Sequence, residues 1–253
     1  MLPDVERLLQ IAVEAGEAIL TVYHNPEEAG LIKLKTDESP LTLADEASHT
    51  IIELGLQALT PDIPILSEEG AHLPYEERQH WETFWCVDPL DGTKEFIRRN
   101  GEFTVNIALV HRQQPVLGII YVPVSGTLYY GGEGIGSFKR TADGVTTPIR
   151  VAAGDDTWVA VGSRSHASPE EAQVLSRYPI ARSITAGSSL KFCLVAEGQA
   201  HLYYRHGPTM EWDTAAGQAL VQASGGVMTM PDGAPFVYNK PVLLNGGFLC
   251  KAR

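Results

Sequence analysis

Residues 84–96 read Phe84-Trp85-Cys86-Val87-Asp88-Pro89-Leu90-Asp91-Gly92-Thr93-Lys94-Glu95-Phe96. The apolar run Phe84 to Val87 predicts a buried strand. Proline cannot donate to a central ladder, so the strand is expected to stop at Asp88-Pro89. Asp88 and Asp91 then stand on the turn that leaves it, with Pro89 and Leu90 between them. Gly92 lets the backbone approach a ligand closely. Thr93 is placed to open a short helix over 94–99, turning the N–H groups of Gly92 and Thr93 outward with the positive helix end. Such a nest takes an anion, phosphate above all. Two hard carboxylates beside it suggest Mg²⁺ held between protein and substrate.

Three other readings compete. A calcium loop sets acids at alternate positions with Gly at the sixth, and this spacing does not match it. A phosphatase with an aspartyl nucleophile would carry a single residue between its acids, where two stand here. An ordinary Asp-Gly turn is the bland reading, but Asp-Pro-Leu-Asp-Gly-Thr is denser in acids than a turn requires.

The rest of the chain bounds the answer. Its 253 residues suffice for one large domain or two small ones. A formal net charge of -12 argues against nonspecific nucleic-acid binding, which needs a basic surface. A small anionic substrate remains open, provided metal ions offset the local repulsion. Three cysteines, Cys86, Cys193 and Cys250, form neither a zinc pattern nor a disulfide framework, which suggests a reducing compartment. No secretory signal pattern opens the sequence, and no apolar run of about 18 residues is present to span a membrane.

In chain order, residues 4–23 predict an amphipathic helix capped by Asp4, with Leu8, Leu9, Ala12, Ala15 and Ile19 on its packing face. Residues 33–40 read as a loop or weak hairpin. A second helix is expected over 43–59. Thr42 and Asp45 match a capping box at its start, so the bland role of Asp45 is a cap. The short strand Ile65-Leu66-Ser67 ends in Glu68-Glu69-Gly70, a second strand that runs out into carboxylates. Residues 71–83 read as a surface loop or short helix. Residues 103–110, 115–122 and 127–131 predict an antiparallel meander, followed by a hairpin at Asp143-Gly144. A boundary is placed near 150, dividing an N-terminal α+β half (1–150) from a C-terminal α/β half (151–253). In the second half, strand 157–162 leads to Ser163 and His166, and a helix is expected over 168–177 with Pro169 at its first position. Gly187-Ser188-Ser189 opens a helix over 188–197, a second candidate anion-binding start. Lys191 lies in its first turn, where a cation opposes the helix dipole. Trp212 and Asp213 begin a helix rich in small residues, where Asp213 alone would read as dipole complementation.

Asp45, Glu68, Asp88, Asp91 and Asp213 thus all fall at strand ends or helix starts. With two candidate anion nests, they fit a site between two layered halves that binds several Mg²⁺ ions and a phosphate ester.

Asp45, Ser-Glu-Glu-Gly at 67–70, Asp-Pro-Leu-Asp-Gly-Thr at 88–93 and Trp-Asp-Thr-Ala at 212–215 stand in the order and rough spacing of the inositol monophosphatase-like, lithium-sensitive phosphatases. The sequence resembles that family over nearly its whole length. Three segments, 35–45, 88–109 and 187–200, are similar to the CysQ-type 3′(2′),5′-bisphosphate nucleotidases within it. The resemblance implies a layered αβαβα sandwich that joins an α+β half to an α/β half. It implies that Glu68, Asp88 and the Leu90 carbonyl hold one Mg²⁺, that Asp88, Asp91 and Asp213 hold a second, and that Glu69 holds a third more loosely. Asp45 and Thr93 would take the proton of the attacking water, and the backbone of Gly92 and Thr93 would receive the scissile phosphate. Ser163, His166, Gly187, Ser188 and Lys191 match the nucleotide contacts, with Glu68, Leu90, Asp91 and Asp213 shared between metal and substrate. The implied reaction is Mg²⁺-dependent hydrolysis of the 3′-phosphate of adenosine 3′,5′-bisphosphate to AMP, and also of 3′-phosphoadenylyl sulfate, clearing a by-product of sulfate assimilation. The implied partner is a small nucleotide bisphosphate, with no nucleic acid and no membrane span. The implied place is the cytoplasm, with peripheral attachment to the inner membrane left open. Two alternatives stand: an inositol or sugar monophosphatase of the same family, and a non-catalytic metal-binding regulator on the same fold. The complete acid set with Thr93 argues against the regulator.

Overall fold

Alternation along one strand organises the molecule. In β4 (Thr83–Asp91), Phe84 and Cys86 belong to one hydrophobic core, and Trp85 and Val87 to another. Successive side chains point to opposite faces, so this strand is buried on both. The same division runs along β5 (Thr104–His111), where Val105, Ile107 and Leu109 face one core and Ala108 and Val110 the other. The computed structural model describes residues 2–25, 32–34, 40–71, 73–154, 156–163 and 169–252.

The seven-stranded sheet has the order β3-β4-β5-β6-β7-β8-β9. Its other members are β3 (Ile65–Ser67), β6 (Gln114–Val122), β7 (Thr127–Gly132), β8 (Gly136–Arg140) and β9 (Thr146–Pro148). Only β3 and β4 run parallel in it. On one face lie α1 (Val5–His24) and α2 (Leu43–Leu59), enclosing the core of Leu8, Ile11, Ile19, Ile52 and Leu56 with Trp85 and Ile107. Asp4 caps α1 by accepting from the Arg7 N–H at 3.3 Å. Before α2, β1 (Ile32–Leu34) and β2 (Pro40–Thr42) pair antiparallel; residues 35–39 lie outside the described residues.

The second half contributes a five-stranded sheet. It holds β10 (Trp158–Ser163), β11 (Ile180–Ala186), β12 (Leu202–Arg205), β14 (Val227–Thr229) and β16 (Phe248–Lys251), with β13 (Thr209–Met210) and β15 (Leu244–Asn245) forming a separate pair. Strand β10 runs parallel to both β11 and β12. Between the two sheets pack α6 (Leu190–Ala196) and α7 (Ala215–Ala223), while α5 (Pro169–Leu175) contacts β12. Helix α7 sits so close to the first sheet that a Cβ at Gly118 of β6 would lie 2.3 Å from the Ala216 carbonyl oxygen. Glycine is required there by the approach itself. The alternation of layers is the αβαβα sandwich that the family resemblance implied.

Two sequence expectations change. Strand β4 does not stop at Asp88-Pro89 but runs on to Asp91 through an irregularity. Asp88 pairs with Asn106 and Asp91 with Thr104, so three steps on β4 match two on β5. This is a bulge of one extra residue, a place where a sheet tolerates proline. Residues 71–83 are not only surface. The short helix α3 (Tyr75–Arg78) buries Arg78, whose guanidinium donates to Asn239 Oδ1 at 2.8 Å and to the Pro241 carbonyl at 2.9 Å. The charge that suggested solvent is consumed by a distant loop. After β4, α4 covers Thr93–Ile97.

Candidate active site

The bulge sets the acids. Residues three apart on a regular strand face opposite sides. One inserted residue returns Asp91 to the side of Asp88, so both carboxylates face the second half. The bulge is held locally: the Leu90 N–H donates to Asp88 Oδ1 at 3.1 Å, and the Ser48 hydroxyl of α2 donates to the Pro89 carbonyl at 2.7 Å. Beside it β3 ends, and the Glu68 N–H donates to the Val87 carbonyl at 3.1 Å. From the second half comes Asp213, whose Oδ2 accepts the Met210 N–H at 2.8 Å. Carboxylate oxygens of Glu68, Asp88 and Asp213 all lie within 4.8 Å of one another.

A cavity of about 250 Å³ opens onto this cluster. Its lining mixes the acids Glu68, Asp91, Glu95 and Asp213 with the cations Lys94, Lys191 and Arg205, and includes Gly92, Thr93, Ser163, Gly187 and Ser188. Parallel strands explain the convergence. Ser163, Gly187 and Arg205 stand at the carboxyl ends of β10, β11 and β12, and Glu68 and Asp91 at those of β3 and β4. Ligands of α/β sheets bind in the crevice outside such ends. Gly92 has the left-handed φ of +93°, and a Cβ there would lie 3.1 Å from the Ser188 Cβ.

Burial and mutual repulsion shift the acids of this cavity. Burial, then repulsion from Glu68 and Asp91, holds Asp88 well above the usual carboxylate range. Asp213 is raised by burial and then by Asp91. Burial also raises Asp91, against the opposing pull of Lys191 and a hydrogen bond from Asn106. Lys191 is buried, and desolvation brings its ammonium down to about 8 despite the nearby Asp91. Its Nζ donates to the Ala186 carbonyl at 3.3 Å and also to the Ser188 carbonyl. The Arg205 Nε is buried without a hydrogen-bond partner among the described residues.

The remaining sequence candidates fall as follows. Asp45 is buried, and its Oδ2 accepts both the Thr42 N–H at 2.8 Å and the Thr42 hydroxyl at 2.6 Å, completing the capping box. Burial pushes it up to about 6, against those bonds and with repulsion from Glu69 and Glu68. No hydrogen bond joins Asp45 to Thr93 among the described residues, although Thr93 lines the cavity. Glu69 lies in the turn after β3, and Leu90 is buried in the bulge. The Gly187 N–H, offered by the sequence to an anion, donates to Glu102 Oε2 at 2.8 Å. His166 lies outside the described residues. Sequence reasoning passed over Arg205, although a strand ending in a cation was as visible as the strands ending in acids. It also passed over Asn106, an amide within an apolar run.

The inositol monophosphatase family pattern matches residues 3–252. The chain belongs to the inositol monophosphatase family. It is 47% identical over 245 residues to the 3′(2′),5′-bisphosphate nucleotidase CysQ of Escherichia coli K12, covering 96% of this chain and 98% of that protein. The CysQ of Salmonella typhimurium is 48% identical with the same coverage. Among solved structures, CysQ from Bacteroides thetaiotaomicron superposes with a TM-score of 0.84 at 41% identity, over 98% of this chain and 97% of that one. An IMPase from Thermotoga maritima shares the fold at a TM-score of 0.80 and 21% identity, over 98% and 91%.

Family membership implies metal, and the donors fit it. Carboxylate oxygens are hard ligands suited to Mg²⁺. A bound cation would offset the repulsion by which these buried like charges raise one another's proton affinity. No helix among the described residues is long and apolar enough to cross a membrane.

Proposed function

We propose that this protein is a Mg²⁺-dependent 3′(2′),5′-bisphosphate nucleotidase that removes the 3′-phosphate of adenosine 3′,5′-bisphosphate. The observation that carries the reading is a single cavity lined both by the carboxylates Glu68, Asp91 and Asp213 and by the cations Lys191 and Arg205. A ligand with two phosphates satisfies both: one phosphate at the acids through metal, the other at the cations. A guanidinium matches phosphate in shape as well as charge. The high identity to named bisphosphate nucleotidases supports the same substrate class.

Glu68, Asp88 and the Leu90 carbonyl would hold one Mg²⁺; Asp88, Asp91 and Asp213 a second; Glu69 a third more loosely. When bound, Mg²⁺ supplies charge neutralisation and Lewis-acid polarisation at the phosphoryl oxygens. The N–H groups of Gly92 and Thr93 receive the scissile phosphate. Thr93 Oγ1 orients the attacking water, and Asp45 takes its proton; a carboxylate raised to about 6 suits a base working near neutrality. Water attacks directly, so no phospho-aspartate forms. By the family resemblance, Ser163, His166, Gly187 and Ser188 would contact the nucleotide, His166 lying outside the described residues. The half up to residue 150 carries most metal ligands, and the half from 151 carries the nucleotide contacts and Asp213. Hydrolysis of 3′-phosphoadenylyl sulfate and a role in clearing the by-product of sulfate assimilation belong to the same reading. Three buried free cysteines suit a reducing cytoplasm.

The test is phosphate release from adenosine 3′,5′-bisphosphate, inositol 1-phosphate and fructose 1,6-bisphosphate, with Mg²⁺ and with EDTA. Release only with Mg²⁺, and fastest from the adenosine compound, is expected. A preference for inositol 1-phosphate would replace the substrate, and no release from any would favour a regulator.

A further inference from the structure

Strand β5 is apolar from Ile107 to Val110 and carries two polar residues nearer its start. There it buries Thr104 and Asn106. Thr104 pairs with Asp91 and Asn106 with Asp88, and their spacing of two puts them on one face, toward the second half. Their side chains meet Ser188 and Ser189 across the seam between the halves. The Thr104 hydroxyl lies 3.2 Å from the Ser188 hydroxyl and 2.7 Å from the Ser189 hydroxyl. Asn106 Oδ1 accepts from the Ser189 hydroxyl at 2.8 Å, and Asn106 Nδ2 donates to Asp91 Oδ2 at 3.3 Å.

Donor and acceptor capacity fixes the direction of this chain at its Asp91 end. An ionised carboxylate only accepts, so the amide must turn its NH₂ toward Asp91 and its oxygen toward Ser189. The Ser189 hydroxyl has one proton and gives it to that oxygen. Thr104 offers its one proton either to that same oxygen at 3.3 Å or to the Ser189 oxygen at 2.7 Å. Ser188 and Asp91 both line the cavity, while Thr104, Asn106 and Ser189 between them are buried. Ser188 stands at a left-handed φ of +39°, a conformation that a non-glycine residue keeps only when its surroundings impose it.

We infer that Ser189 and Asn106 are positioning residues for Asp91, fixing one carboxylate oxygen by a hydrogen-bond chain from the second half so that the other oxygen faces the metal. Partners of this kind orient a ligand, and their loss typically lowers metal affinity by roughly 10–100-fold. The inference rests on the proposed reading of Asp91 as a metal ligand. It gives Ser189 a role distinct from that of its neighbour Ser188: one acts on the metal through Asn106, the other borders the substrate.

The test is Mn²⁺ binding to the substrate-free full chain, followed by electron paramagnetic resonance, which needs no turnover. Ser189→Ala should weaken Mn²⁺ binding roughly tenfold, and Ser189→Thr, which keeps the hydroxyl, should restore it. Thr104→Val, which interrupts the chain one member earlier, should shift binding in the same direction. In an Asn106→Ala background, Ser189→Ala should add nothing. Unchanged Mn²⁺ affinity in Ser189→Ala, even with a lowered melting temperature, would make the contact a fastening of the seam and overturn the inference. So would additive losses in the double variant, or a wild-type protein that binds no Mn²⁺. If adenosine 3′,5′-bisphosphate is not cleaved but Mn²⁺ binding still responds to Ser189→Ala, the substrate assignment fails and the inference stands.

Discussion

The Ser48 hydroxyl donates to the Pro89 carbonyl at 2.7 Å. This contact fastens α2, which carries Asp45 three residues earlier, to the bulge that presents Asp88 and Asp91. One turn geometry therefore serves two groups of acids, and its loss has a measurable cost. Pro89 has no N–H to give, and its buried carbonyl accepts from Ser48. Ser48→Ala leaves that carbonyl without its partner, which costs about 1–3 kcal/mol. For a chain of this size the loss amounts to a fall of roughly 2–4 °C in melting temperature per kcal/mol. Calorimetry on the metal-free protein checks it; an unchanged transition would mean that the bulge holds itself.

The paired acids of the bulge should dominate activity. Asp88→Asn and Asp91→Asn keep shape and remove charge. Each is expected to lower kcat/KM by orders of magnitude while the far-ultraviolet circular dichroism stays that of the parent. Near-normal turnover by Asp91→Asn with Mg²⁺ would show that Asp91 holds no essential ion.

Stability should depend on pH in a direction set by the same cluster. Asp45 is raised to about 6, and Asp88 and Asp213 are raised too, first of all by burial. An acid whose folded value lies above its unfolded value binds protons better in the native state. The metal-free protein then loses stability from these groups as pH rises through the carboxylate range toward the folded values, and the penalty is complete above them. Mg²⁺ competes with those protons and relieves the repulsion. The rise in melting temperature on adding Mg²⁺ should therefore be larger at about pH 8 than at about pH 5. An equal rise at both would mean that the cluster does not bind the ion.

Much of this site was legible in the sequence, because its chemistry sits at strand ends and strand ends carry local signals. Asp88, Asp91, Gly92 and Thr93 announced themselves through proline, glycine and acid density. Glu68 and Asp213 did so by position, and the family pattern joined them. The bulge was not legible. Proline predicts the end of a ladder, and only the register of Asp88 and Asp91 against Asn106 and Thr104 shows that the strand absorbs it. Arg78 was missed for a related reason, since its burial depends on Asn239, far away in sequence. The pairing of Asp45 with Thr42 was visible as a capping box, and the structure retains it. The Glu102 carboxylate at the Gly187 N–H had no sequence signal, because a long-range contact by a surface-type residue leaves none.

Substrate choice provides the most direct test of the account. On the proposed reading the carboxylates serve any phosphate ester, whereas Lys191 and Arg205 serve a substrate with a second phosphate. Loss of one charge-assisted contact costs about 1.5–3 kcal/mol, or roughly tenfold to over a hundredfold. The measurement is kcat/KM of Lys191→Ala and Arg205→Ala, at saturating Mg²⁺, on adenosine 3′,5′-bisphosphate and on adenosine 3′-monophosphate. The account predicts that loss on the bisphosphate and almost none on the monophosphate. Equal losses on both would contradict it, making Lys191 and Arg205 supports of the fold or the metal site rather than the receptor of the second phosphate.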